Sequence, residues 1–271
     1  MMKASKIIHL NSNNRVSGAH ENASYKIDIS PSEKYNYCCV LACSIPVSYY
    51  LIQSPYNTMN LKESATTVTI TIPEGNYNIN SFGSTVAALL TAGSPTGYTY
   101  TITTNNSFTT VNNGKYTYTV SGNGGVQPEF IFTTNVNEQF GFDPNTTKTF
   151  SGNTITSSNV VNFIPEQSLF LYSNLINNTS NNTLNVLQEI YGGNTPSYGM
   201  INYQCTSVEG YSRKINEGHT TGFTITLCNE NNRILNLNGR NILITLLLYN
   251  KDNIYEIARN YLKYNLLNEN V

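Results

Sequence analysis

The sequence predicts an all-β protein of the sandwich or jelly-roll kind, and three observations carry that prediction. Short segments with two-residue alternation of apolar and polar side chains recur along the chain. The composition favours strands and tight turns, with 42 Asn, 32 Thr and 20 Tyr among 271 residues and no Trp. A helical period is convincing in only two places, so the helices that a parallel α/β sheet requires between its strands are missing.

In chain order, Ser24–Ile29 alternates and is closed by Ser30-Pro31-Ser32. Tyr37–Ile45 is an apolar run of strand length, and Thr66–Ile72 is a near-ideal alternating strand stopped by Pro73. Asn80-Ser81 offers a helix cap, followed by Phe82, Val86, Leu89 and Leu90 at helical spacing and by a terminating Gly93. Strands are then expected at Tyr98–Ile102, Lys115–Val120, Phe130–Phe132, Ser168–Tyr172, Gly222–Leu227 and Asn241–Tyr249. Turn signals fall between them at Asn112-Asn113-Gly114, Gly122-Asn123-Gly124-Gly125, Gly192-Gly193-Asn194 and Asn238-Gly239. Asn177–Asn185 reads as an exposed loop. Asp252-Asn253 offers the second cap, for a C-terminal helix over Asp252–Leu267 with Ile254, Ile257, Ala258, Tyr261 and Leu262 on one stripe.

Charge is scarce. Fifteen Lys and Arg stand against 16 Asp and Glu, and charged residues make up 11% of the chain, against about 25% in ordinary soluble domains. Lys3 and Lys6 or Arg213-Lys214 do not amount to a nucleic-acid footprint, so no nucleic-acid motif is read. Ile7 and Ile8 are too short an apolar stretch for a secretory signal, and Ile242–Tyr249 is too short to span a bilayer. The expectation is a soluble protein made in a cytosol, carrying its five cysteines (Cys38, Cys39, Cys43, Cys205 and Cys228) as free thiols. Cys38-Cys39-x-x-x-Cys43 has the outline of a metal site, but it lies in an apolar strand where neighbouring side chains face opposite ways; buried packing is the better reading.

Candidate chemistry is sparse. His9, His20 and His219 lie at no metal-ligand spacing. Gly122–Gly125 has the look of a phosphate loop, but a strand rather than a helix follows it, so a hairpin turn is expected. Glu74, Glu129, Glu138, Asp143, Glu166 and Glu189 are carboxylates that nothing in the sequence pairs. There is no G-x-S-x-G. The sequence therefore supports no enzyme, no catalytic, metal or cofactor-binding residue, and no cofactor. Tyr98, Tyr100, Tyr116 and Tyr118 admit two readings, a sugar-stacking platform or cross-strand packing, and the second is the commoner use of alternating Tyr-Thr pairs.

Several segments together carry a resemblance. The opening HLNSNNRVSG…ASYKIDIS leads to CSIPVSYYLI and VTITIPEGNYN; later come EQFGF (Glu138–Phe142), LFLYSNL (Leu169–Leu175) and LNLNGRNILITLLLY (Leu235–Tyr249). This order is similar to that of the penton and small single-jelly-roll capsid proteins of virophages, polinton-like viruses and related large DNA viruses. It implies an all-β single jelly roll with an inserted small α+β or β module and a C-terminal helix. The jelly roll is expected over 1–72 and 145–271 and the inserted module over 73–144, with the alternative that this segment belongs to the same sandwich. It further implies a structural virion protein, a homopentamer closing the fivefold vertices of an icosahedral capsid. The implied partners are copies of itself, a double-jelly-roll major capsid protein and minor capsid proteins, with assembly in the host cytoplasm. Alternatives are a minor or cement capsid protein and a receptor- or carbohydrate-binding virion head protein using the Tyr-rich strands. The segment through Arg15 and the C-terminal helix are candidate contacts to neighbouring subunits.

Overall fold

Alternation decides which face of each strand is buried. A computed structural model of the chain describes residues 2–26, 35–105, 111–176, 185–193, 195–216 and 222–251. The chain divides into two units, Met1–Tyr49 with Glu166–Val271, and Tyr50–Pro165. The first unit opens with β1 (Met2–Asn11), β2 (Ser17–Gly18), β3 (Asn22–Lys26) and β4 (Tyr37–Pro46). The second holds β5 (Thr58–Glu63), β6 (Thr66–Thr71), α1 (Ile79–Gly93), β7 (Thr99–Thr104), β8 (Tyr116–Ser121), β9 (Glu129–Ile131), α2 (Asn137–Phe140), β10 (Thr147–Thr149) and β11 (Thr154–Thr156). The chain then re-enters the first unit with β12 (Ser168–Ser173), β13 (Val186–Tyr191), β14 (Met200–Gln204), α3 (Val208–Tyr211), β15 (Arg213–Lys214), β16 (Gly222–Asn229) and β17 (Leu243–Lys251).

The first unit is a jelly roll. One of its sheets runs β1-β17-β4-β14, with β15 also on β4, and the other runs β13-β12-β16-β3-β2; all pairs are antiparallel. Counting only the eight longer strands in chain order, the sheets read 1-8-3-6 and 5-4-7-2, which is the order of two nested Greek keys. One core lies between the sheets, with Val40, Cys43, Ile45, Ile244, Leu246 and Leu248 from the first sheet. The second sheet contributes Leu169, Leu171, Leu187, Phe223, Ile225 and Leu227. In β12 and β16 the inward positions are every second residue, as a half-buried strand requires. β4 departs from that rule at one place. Thr245 pairs with Ala42 and Leu246 with Val40, so Leu41 is an extra residue that bulges, and this lets both Val40 and Cys43 face the core.

The second unit pairs a sheet β10-β9-β5-β6 with a sheet β11-β8-β7 and helix α1 around an aromatic core of Phe82, Tyr116, Tyr118, Phe130, Phe140 and Phe142 among others. Its limits differ from the expected 73–144. Met59, Leu61, Ile70 and Ile72 belong to this core, as do Phe150 and Val161 on the return. Pro73 ends a strand inside the unit; a proline stop marks the end of a ladder and carries no information about the end of a domain.

Two further expectations change. Helix α1 is capped by Asn78, two residues early: its side chain accepts from the Asn80 and Ser81 N–H groups while Ser81 Oγ accepts from the Asn78 N–H. Phe82, Val86 and Leu90 are buried as the spacing predicts. The Gly122–Gly125 segment is not a hairpin, because it carries the chain from β8 in one sheet to β9 in the other. The predicted C-terminal helix, the loop at 177–184 and His219 lie outside the described residues.

Gly141, in the EQFGF segment, closes α2 in the left-handed region at φ +76. A Cβ there would sit 2.7 Å from the Asn159 carbonyl oxygen and 2.7 Å from Ser157 Cβ. Gly152 has φ +58 with open space around it. Gly141→Ala is therefore expected to cost roughly 2–4 kcal/mol in urea unfolding, from backbone strain plus overpacking, and Gly152→Ala only about 1 kcal/mol. Equal costs at the two positions would contradict this account of Gly141.

Candidate functional site

The six carboxylates singled out by the sequence are not gathered into a catalytic pair. Glu129 forms an ion pair with Lys62 at 3.0 Å; both groups are partly exposed, which makes it worth at most about 1 kcal/mol. Glu138 accepts from Asn162 Nδ2 at 3.0 Å, Asp143 from Asn159 Nδ2 at 2.9 Å, and Glu166 from Asn229 Nδ2 at 2.7 Å. Glu74 accepts from the Ser54 N–H at 2.7 Å, and Glu189 is exposed on β13. Five of the six thus hold partners of their own, none of them a second carboxylate. Among the described residues no three of His, Cys, Asp and Glu come together as metal ligands would, and no helix is long and apolar enough to cross a membrane. His9 Nδ1 meets Thr245 Oγ1 at 3.2 Å, and His20 Nδ1 meets Ser12 Oγ at 2.9 Å. His20 belongs to a turn that Arg15 braces by donating to the Ser12 and Gly18 carbonyls.

The most polar buried constellation surrounds a residue that sequence reasoning passed over. Glu63 is 0% exposed at the end of β5. Its carboxylate accepts from Ser94 Oγ at 2.8 Å to each oxygen, from the Thr96 N–H at 3.1 Å, from Thr96 Oγ1, and from the Tyr100 hydroxyl at 2.7 Å. Burial, and then the hydrogen bond to this carboxylate, pushes the Tyr100 hydroxyl far above the usual tyrosine range, so it remains a donor. Thr91 Oγ1 continues the network, accepting from the Tyr100 N–H at 2.9 Å and donating to the Ala87 carbonyl at 2.9 Å. A carboxylate with four donor groups on it and no solvent-facing side has no access to a substrate. It fastens the end of α1 and the start of β7 to β5. The signal was present in the sequence: Met59, Leu61 and Glu63 share the inward face of one alternating strand.

The four tyrosines are core residues and not a glycan platform. Tyr98, Tyr100, Tyr116 and Tyr118 are all buried. Tyr118 stacks on Phe140 with centroids 5.9 Å apart and donates to the Phe140 carbonyl at 2.8 Å, and Tyr116 donates to the Ile79 carbonyl. Rings buried in this way cannot stack on a sugar, which removes the carbohydrate-binding reading that rested on them.

What the jelly-roll unit offers to the outside is edges. β1, ten residues long, pairs on one side with β17 and ends the order of its sheet; it is thus part of the sheet and not a free arm. The consecutive strands β13 and β14 end their sheets as well. At the end of β13, in the turn that follows and at the start of β14, Tyr191, Tyr198 and Met200 are exposed. Tyr198 is 80% exposed and sits at φ +66, a left-handed conformation that is costly for a bulky side chain and is held by its N–H donating to the Val47 carbonyl at 2.8 Å. A shallow, open depression of about 330 Å³ near Val16, Lys26, Asn174 and Phe223 has no convergent charged groups. Exposed, uncharged side chains on unpaired strand edges suit protein–protein contact better than chemistry on a small molecule.

No protein-family model matches the chain, and no curated protein matches it. Among solved structures it is similar to the crystal structure of the selenomethionine-labelled mavirus penton protein, at 13% identity and a TM-score of 0.40, over 90% of this chain and 99% of that one.

Proposed function

We propose that the chain is a structural virion protein whose copies assemble through the edges of the jelly-roll unit into a homopentamer closing the fivefold vertices of an icosahedral capsid. One observation carries the reading. The first unit has a jelly-roll strand order, and the end of β13, the start of β14 and the turn joining them carry the exposed, uncharged side chains Tyr191, Met200 and Tyr198. The segments HLNSNNRVSG, IPEGNY and EQFGF, which resemble those of penton and single-jelly-roll capsid proteins, give the fold this interpretation. A jelly roll hosts many functions, so the fold alone is an argument by analogy. The composition adds a physical one. A cyclic ring is built from head-to-tail contacts that close by rotation, and surfaces poor in charge enter such contacts without the cost of desolvating ions. At 11% charged residues this chain meets that condition.

On this reading the partners are copies of the chain, a double-jelly-roll major capsid protein and minor capsid proteins. The protein acts in the virion, at the capsid vertex, and assembles in the host cytoplasm. Electron microscopy of purified particles labelled with an antibody to the chain tests it. Label confined to the fivefold corners supports the vertex role. Label spread over the facets supports a minor or cement protein instead, and label absent from the shell removes the capsid role altogether.

A further inference from the structure

The two sulfurs of Cys39 and Cys205 lie 3.6 Å apart although 166 residues separate them in the chain. No spacing rule connects them, and their approach is built by the sheet. Cys38 and Cys39 face opposite ways on β4, and Cys38 points into the core. Cys39 is therefore on the outer face, where it is nonetheless fully covered. Cys205 follows the last residue of β14, and its N–H donates at 2.8 Å to the carbonyl of Leu41, the bulged residue of β4. Its side chain is only half-buried.

The segment between β14 and β15 is the weak part of this edge. β14 pairs with Ala42–Pro46 and β15 with Tyr37 and Cys38, so residues 205–212, including the single turn α3, loop out beside the middle of β4 without a ladder. One end is held by the Cys205 N–H, and the other by the Tyr249 hydroxyl donating to Ser212 Oγ at 2.7 Å. The Glu209–Lys251 pair on this segment lies in solvent and adds little.

We propose that Cys39 and Cys205 are a redox pair that closes to an intramolecular disulfide on meeting a small-molecule or protein disulfide, stapling the 205–212 segment to β4. The sulfurs need to approach by only about 1.5 Å to reach the ~2.05 Å bond. The order of attack follows from exposure. Burial, and then the hydrogen bond with Cys205, pushes the Cys39 thiol up to about 12, so Cys39 is a poor first nucleophile. The half-buried Cys205 thiolate attacks one sulfur of the oxidant's disulfide and expels one thiolate. The Cys39 sulfur then attacks Cys205 Sγ in the mixed disulfide, and the second thiolate leaves with the Cys39 proton. Two protein thiols and one external disulfide thus become one protein disulfide and two external thiols. In a reducing compartment the pair stays open, and outside it the pair closes. The inference rests on this geometry and holds whether or not the chain builds a capsid.

The test incubates the purified, pre-reduced full chain with glutathione disulfide, alkylates it under denaturing conditions and counts free thiols by mass. Of the five cysteines, two should be lost, leaving three, and a non-reduced peptide map should join the peptides of Cys39 and Cys205. The oxidised protein should unfold at a higher urea midpoint than the reduced protein. Because Cys39→Ser risks misfolding at a buried site, Cys205→Ser is the variant of choice: it should keep its four remaining thiols and show no midpoint shift. Five persistent thiols, a glutathione adduct on Cys205 that never resolves, or a link between any other pair would overturn the proposal.

Discussion

Leu246→Asp is expected to abolish soluble folding of the chain. Leu246 is 0% exposed on β17, where it pairs with Ile8 of β1 on one side and Val40 of β4 on the other. It belongs to the core between the two jelly-roll sheets. Replacing it removes about 2–3 kcal/mol of apolar burial. It also places a carboxylate in a core with no cation beside it, which costs several kcal/mol more or forces the group to stay protonated. Together these approach the whole stability of an ordinary domain, about 5–15 kcal/mol. Leu246→Ala is the control; it should cost about 2–5 kcal/mol yet still yield folded protein. Soluble yield and circular dichroism measure both variants. A Leu246→Asp chain that is soluble and β-rich like the parent would contradict the assigned register of β17. Ile70→Asp should disrupt the second unit in the same way, since Ile70 is buried in the aromatic core there.

The second large effect is expected at Glu63. Glu63→Ala leaves the Ser94, Thr96 and Tyr100 hydroxyls and the Thr96 N–H without their acceptor. Hydrogen bonds to a charged acceptor are each worth about 1.5–3 kcal/mol, and they do not add fully when they share one group. A loss of at least ~3 kcal/mol in urea unfolding is the expected result. Glu63→Gln keeps one acceptor oxygen but turns two N–H donors toward hydroxyls, so it should fall between the parent and Glu63→Ala. A Glu63→Ala protein as stable as the parent would show that the carboxylate does not hold α1 and β7 to β5.

Local periodicity was legible from the sequence and long-range assembly was not. Thr66–Ile72 and Ser168–Tyr172 became strands because alternation is a property of the segment itself. The stripe Phe82, Val86 and Leu90 became the buried face of α1 for the same reason. The cap was misplaced because Asn78 and Asn80 are chemically equal candidates, and only the reciprocal bond with Ser81 separates them. The strand order 1-8-3-6 and 5-4-7-2 pairs the first strand with the last, and no window of sequence contains such a pairing. The resemblance implied a single jelly roll, and the alternating segments alone admitted any sandwich. The limits of the second unit are not legible from Pro73, because β6, which it follows, pairs with β5, and β5 pairs with β9 inside the unit. Alternating Tyr and Thr admit a binding face but more commonly make a packed one, and the burial of Tyr116 and Tyr118 agrees with packing. Glu63 was legible in principle from the Met59–Leu61–Glu63 alternation, but a carboxylate is not the residue type one looks for in a core. The Cys39–Cys205 approach depends on the fold of the whole first unit and leaves no local trace.

The proposed function requires this chain to assemble into a closed ring of five. The native mass of the purified 271-residue chain is the sharpest test. The predicted result is a species of about five times the 30.1 kDa chain mass, persisting on dilution as an interface poor in charge should. A stable monomer or a trimer under the same conditions would contradict it.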